Sequence, residues 1–137
     1  MKPLFAALFA IFATPALAGD PVAGKQAFAK CRACHAIIAP DGSVVQKGGK
    51  IGPDLYGIIG RQIGSLPGYT YSPSTIAAGA DGTKWDEAMI AAFLPDASTW
   101  LAQKTGDPAA HSKMAFKLAT GGADVAAYLA SVAPPAN

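Results

Sequence analysis

The run Cys31-Arg32-Ala33-Cys34-His35 constrains this chain more than any other part of it. C-x-x-C-H is the attachment signature of a c-type haem, in which two thiols add to the vinyl groups and the adjoining histidine becomes an axial ligand of the iron. On a helical turn ending at Cys34, residues three apart share a face, so both sulfurs reach one edge of the macrocycle. His35 then lies under the iron. A chain that carries such a group folds as a wrapping around a flat, apolar plate.

C-x-x-C also serves thioredoxin-like redox centres and forms half of many zinc sites. The first needs strand–helix alternation, which this sequence does not display. The second would have to draw on His35 and the distant His111, because Cys31 and Cys34 are the only cysteines. A haem-free thiol oxidoreductase stays open as a rival, and a colourless purified protein would mark it.

Residues 1–18 read as a secretory signal, with Lys2 at the charged end, an apolar run from Leu4 to Ala13, and small residues at Ala16 and Ala18. The run is too short for a hydrocarbon core that takes about 20 residues to cross. The expectation is cleavage after Ala18 and an exported, periplasmic domain over 19–137. Without Lys2 that domain keeps ten basic and nine acidic side chains, whereas nucleic-acid binders are usually far more basic. The charges separate along the chain: Lys25, Lys30, Arg32, Lys47 and Lys50 face only Asp41 within 22–50, while Asp81, Asp86, Glu87 and Asp96 face only Lys84 within 81–100. Such separation either orients a partner through a molecular dipole or reflects ordinary solvated faces.

Helical signals dominate. Asp20-Pro21 predicts an N-cap and a helix running to about Ala33, with Gly24, Phe28 and Cys31 on one face. Residues 36–52 and 60–73 read as loops, with one or two helical turns between them at Leu55–Ile59. Thr83-Lys84-Trp85-Asp86 resembles a capping box, leading into a helix with Trp85, Met89, Ile90 and Phe93 on one side and Pro95 as its stop. A shorter helix is expected from about Asp96 to Lys104. The last helix carries Val125, Tyr128, Leu129 and Val132 at i, i+3, i+4 and i+7, before Pro134-Pro135.

A six-coordinate electron-transfer haem needs a second axial ligand, and a thioether raises its potential. Met89 falls in an apolar helical stripe, where methionine usually fills core. Met114 sits in a loop where periodicity asks for nothing apolar. His111, three residues away, is the competing candidate.

Gly52-Pro53-Asp54-Leu55-Tyr56-Gly57, Gly60-Arg61, Pro67-Gly68-Tyr69-Thr70-Tyr71, Trp85, Lys113-Met114-Ala115-Phe116 and Ala127-Tyr128-Leu129 follow the haem motif in the order found in class I cytochromes c. The chain resembles that family over nearly all of 19–137, most of all its larger bacterial members of the cytochrome c2 type. The resemblance implies an all-α single domain wrapped around one covalent haem c, with the first and last helices crossing at Gly24 and Phe28. It implies Cys31 and Cys34 as attachment points, His35 and Met114 as iron ligands, and Pro53 as carbonyl partner of the His35 Nδ1–H. Arg61, Tyr71 and Trp85 match positions that hydrogen-bond a buried propionate, although aromatic packing alone would account for Tyr71 and Trp85. Phe93 departs from the pattern, since many relatives carry a tyrosine there.

The function implied is one-electron carriage without enzymatic activity, by outer-sphere transfer through the exposed haem edge. Lys30, Lys50, Lys113 and Lys117 are expected to border that edge. Implied partners are a quinol-oxidising cytochrome complex, an oxidase, a photosynthetic reaction centre or a periplasmic reductase or dehydrogenase, met transiently by a monomer. A haem protein with a labile sixth ligand, acting as gas sensor or peroxidase-like enzyme, is the alternative.

Overall fold

A computed structural model describes residues 18–134. The export signal expected over 1–18 lies, but for Ala18, outside the described residues, as does Pro135. Asp20 holds an extended backbone and accepts the Val22 N–H at 2.8 Å, and with Pro21 at the first position it opens helix α1, Pro21–Ala27. The expected single helix to Ala33 is corrected. The chain tightens into a 3₁₀ turn at Phe28–Lys30, where Cys31 N–H bonds three residues back to Phe28 O at 2.8 Å.

The expected loop over 36–52 contains a small antiparallel hairpin, β1 (Ile37–Ile38) and β2 (Val44–Gln46). Ile37 is fully buried, and Gln46 Nε2 donates to Tyr128 Oη at 3.0 Å, so the hairpin is anchored to the last helix. No helix forms at Leu55–Ile59. Two consecutive turns take its place, closed by Ile58 N–H to Leu55 O at 3.2 Å and Arg61 N–H to Ile58 O at 3.0 Å.

Helix α2, Pro73–Gly79, was not expected, yet it starts with the same device as α1: an extended Ser72 whose Oγ accepts the Thr75 N–H at 3.2 Å, followed by proline. Helix α3 spans Glu87–Phe93, and its cap is Asp86, which accepts the Met89 N–H at 2.7 Å. The capping box at Thr83 is thereby corrected, because the Thr83 hydroxyl donates to Asp81 instead. Helix α4, Ala97–Thr105, follows from Asp96 as cap and ends at Gly106, close to the expected limits.

Helix α5, Gly122–Ser131, carries buried Val125, Tyr128 and Leu129 as its periodicity predicts. It crosses α1 at Gly24, where an added Cβ would fall 1.9 Å from Asp124 O and 2.8 Å from Tyr128 Cβ. Only hydrogen fits between the two backbones. Phe28 packs on Tyr128 with ring centroids 5.7 Å apart. Among the described residues the fold is therefore mostly helical, with one core to which Phe28 of the 3₁₀ turn, Ile37 of β1, Ala78 of α2, Ile90 of α3, Leu101 of α4 and the buried face of α5 all contribute.

Candidate haem site

The attachment motif is a helical turn, as its spacing requires. Cys31 O accepts both the Cys34 N–H at 3.1 Å and the His35 N–H at 2.9 Å, which places the two thiols on one side. Both cysteines are free and half-buried. Burial pushes the Cys31 thiol up from its ordinary pKa, helped by the neighbouring Cys34 and opposed by Lys30.

The segment 48–52 lies flush along this turn. Gly49 N–H donates to Arg32 O at 2.9 Å, Gly52 N–H to Cys34 O at 2.8 Å, and Arg32 Nε to Lys47 O at 3.0 Å. A Cβ would fall 1.7 Å from His35 O at Gly48 and 2.2 Å from Ala33 O at Gly49. At Gly52 it would strike the His35 ring itself, 2.3 Å from Cε1. Gly48 and Gly49 thus pack without side chains against the backbone of the motif turn, and Gly52 packs against the imidazole.

Pro53 O then lies 2.7 Å from His35 Nδ1. A carbonyl only accepts, so Nδ1 carries the proton and the Nε2 lone pair is free. Burial lowers the His35 pKa, opposed by the Pro53 bond and by Asp54, which favours the neutral ring that ligates a metal. Two free thiols and a neutral imidazole with an open Nε2 are the donor set that a covalent haem requires.

Met114 is half-buried in a segment without regular structure, and its N–H donates to Ser112 Oγ at 3.0 Å. This loop reaches the histidine side of the site through Tyr69. Lys113 Nζ donates to Thr70 O and lies 5.9 Å from the Tyr69 ring centroid, while Tyr69 Oη donates to Ile51 O at 3.2 Å. Burial raises the Tyr69 pKa, and the nearby Tyr71 and Cys34 add to it. His111, the rival ligand, is exposed, and Met89 packs against the core.

No family model matches the chain. Among known proteins, cytochrome c2 of Rhodobacter capsulatus is 51% identical over 122 residues, 89% of each chain. Cytochrome c-550 of Paracoccus versutus is 44% identical over 139 residues, covering 98% of this chain and 90% of that one. The solved structure of the Rhodobacter capsulatus cytochrome c2 superposes with a TM-score of 0.82, covering 83% of this chain and 98% of that one. The chain belongs to the class I cytochromes c.

This cytochrome is a soluble monohaem electron carrier with one haem c attached through the C-x-x-C-H motif. The sequence-predicted propionate donors fall into two groups in it. Arg61 and Tyr71 come together: the guanidinium donates to Asp54 O at 3.0 Å and to Tyr56 O, and it faces Tyr71, whose Oη accepts the Leu66 N–H at 3.4 Å. Burial lowers the Arg61 pKa, and Tyr71 opposes the shift. Trp85 joins Arg61 through its backbone, with Trp85 N–H to Arg61 O at 2.9 Å, while its ring stacks on Trp100 at 5.2 Å and meets Phe93 edge-on at 5.2 Å.

The sequence reading missed what Asp54 does. Its carboxylate accepts the Ile38 N–H at 3.0 Å and the Tyr56 N–H at 2.8 Å, bracing the Pro53 loop against β1. An aspartate two residues before a backbone donor in a turn is the signal that would have found it.

Proposed function

We propose that the cytochrome carries electrons with His35 and Met114 as axial ligands and with Cys31 and Cys34 as covalent anchors, working in the periplasm after removal of residues 1–18. The observation that carries this reading is the His35–Pro53 bond beside two free thiols, which presents one unprotonated nitrogen at a fixed position. When bound, the haem iron supplies a one-electron couple. The protein's part is to keep that site rigid. Pro53 O holds the proton on Nδ1, Gly52 packs its backbone against the ring while Gly48 and Gly49 pack against the backbone of the turn that carries it, and the thioether links prevent loss of the group. Arg61, Tyr71 and Trp85 supply N–H and O–H groups for a desolvated propionate, which needs donors. None of these residues moves a proton or attacks a bond, in keeping with carriage and not catalysis.

Transfer to partners goes through a face that combines apolar and basic groups. Ile51 is 76% exposed and Phe116 44%, with exposed Lys30 adjoining the attachment motif and exposed Lys50 adjoining Ile51. Lys113 and Lys117 are less available than the sequence suggested, because Lys113 is engaged at Thr70 O and Lys117 pairs with Asp96 at 2.7 Å. Small, transient contacts with membrane redox complexes of quinol-oxidising, oxidase or reaction-centre type suit such a face. The family relatives give no support to the gas-sensor or peroxidase-like alternative. Protein made with a haem-ligation system should titrate with one electron per haem, and its ferrous form should ignore carbon monoxide at neutral pH. Carbon monoxide binding would refute the carrier assignment.

A further inference from the structure

The methionine loop has no backbone ladder of its own, since residues 111–117 are neither helix nor strand. Its backbone is held instead by side chains from other elements. At residues 111 and 112, three of the four peptide groups are bonded to serine hydroxyls. Ser72 Oγ donates to His111 O at 2.9 Å, Ser74 Oγ accepts the His111 N–H at 3.1 Å, and Ser98 Oγ accepts the Ser112 N–H at 3.0 Å. Ser112 Oγ then accepts the Met114 N–H at 3.0 Å, which carries the chain of bonds to the methionine.

Ser72 is only 2% exposed, and its hydroxyl is fully used. With its one hydrogen on His111 O, it accepts from the Thr75 N–H at 3.2 Å and from the Thr75 hydroxyl at 2.9 Å. Ser72 also caps α2. Ser74 and Ser98 do not cap their helices, because those roles fall to Ser72 and Asp96. Their hydroxyls therefore serve the loop and not the helices that carry them.

We propose that Ser72, Ser74 and Ser98 form a clasp that positions Met114. The first turns of α2 and α4 grip the chain three and two residues before the methionine and set how readily its thioether leaves the iron. The inference rests on Met114 as ligand. These are positioning residues, and their effect is read in the competition between the thioether and an added base. A hydroxyl-to-backbone bond contributes about 1 kcal/mol net, so each hydroxyl removed should favour displacement by about fivefold.

The test is imidazole titration of the oxidised holoprotein, followed by loss of the weak sulfur-to-iron charge-transfer band in the near infrared. Ser98→Ala and Ser74→Ala should each bind imidazole about fivefold more tightly than wild type, and Ser98→Thr, which keeps the hydroxyl, should behave as wild type. Tyr128→Phe loosens the hairpin anchor away from the loop and should leave the affinity unchanged. Wild-type affinity in both alanine variants would overturn the clasp, and so would an equal shift in Tyr128→Phe. A wild-type protein lacking the band would overturn the Met114 ligation and the clasp with it, whereas a band with unmoved affinities would overturn the clasp alone.

Discussion

Gly52→Ala concentrates the account of the histidine side into one methyl group. Gly52 has no need of glycine's unusual backbone angles, so the effect is steric. The new Cβ would lie 2.3 Å from His35 Cε1 and 2.7 Å from Nδ1, against an ordinary contact of 3.4 Å or more. The ring must therefore retreat by about 1 Å, and it is pinned by the 2.7 Å bond from Nδ1 to Pro53 O. Overpacking of this kind costs about 1–3 kcal/mol, and loss of the hydrogen bond adds about 1 kcal/mol. A total of about 2–4 kcal/mol corresponds to a Tm lower by about 8–16 °C in a domain of this size. Without its carbonyl partner the imidazole is a poorer donor to ferric iron, so the reduction potential should rise, by up to about 40 mV for 1 kcal/mol. Thermal melting followed in the Soret region and a redox titration read the two effects separately. Wild-type values in both would refute the argument that Gly52 sets the ring.

Three further outcomes follow from the same geometry. Gly24→Ala puts a methyl 1.9 Å from Asp124 O, so α1 and α5 must part by about 1.5 Å; the cost of about 3 kcal/mol should lower Tm by about 12 °C while leaving the visible spectrum unchanged, and an unchanged Tm would disprove the crossing. Asp96 has its pKa lowered to about 2, first by Lys117 and then by the Thr99 N–H. A carboxylate with a depressed folded pKa stabilises above its unfolded value and loses that contribution as pH falls toward the folded one. The Tm gap between wild type and Lys117→Gln should thus be full at pH 7 and shrink from pH 3.8 down toward about 2, and a gap constant with pH would contradict the pairing. Electron-transfer rates with an acidic redox partner should fall as ionic strength rises, since exposed Lys30 and Lys50 are screened, and a flat salt dependence would remove them from docking.

What the sequence made legible tracks how local the chemistry is. The attachment motif could be read because both thiols and the imidazole must lie within one helical turn; periodicity gave the buried stripe of α5, whereas its crossing with α1 at Gly24 came only from the family resemblance. Ser72-Pro73 carries the same signature as Asp20-Pro21, but the glycines and prolines over 60–73 masked it and α2 was missed. The hairpin was missed because strands of two and three residues are too short to show alternation. Thr83 looked like a cap until Asp81 captured its hydroxyl, leaving the role to Asp86. The serine contacts to residues 111 and 112 join segments up to 39 positions apart, and no pattern in one sequence reveals such pairings.

The most direct test of the central claim is the near-infrared spectrum of the oxidised holoprotein beside that of Met114→Ala. His35–Met114 ligation predicts the sulfur-to-iron charge-transfer band in the first and its loss in the second. A haem spectrum without that band, or a band that survives the substitution, would contradict it.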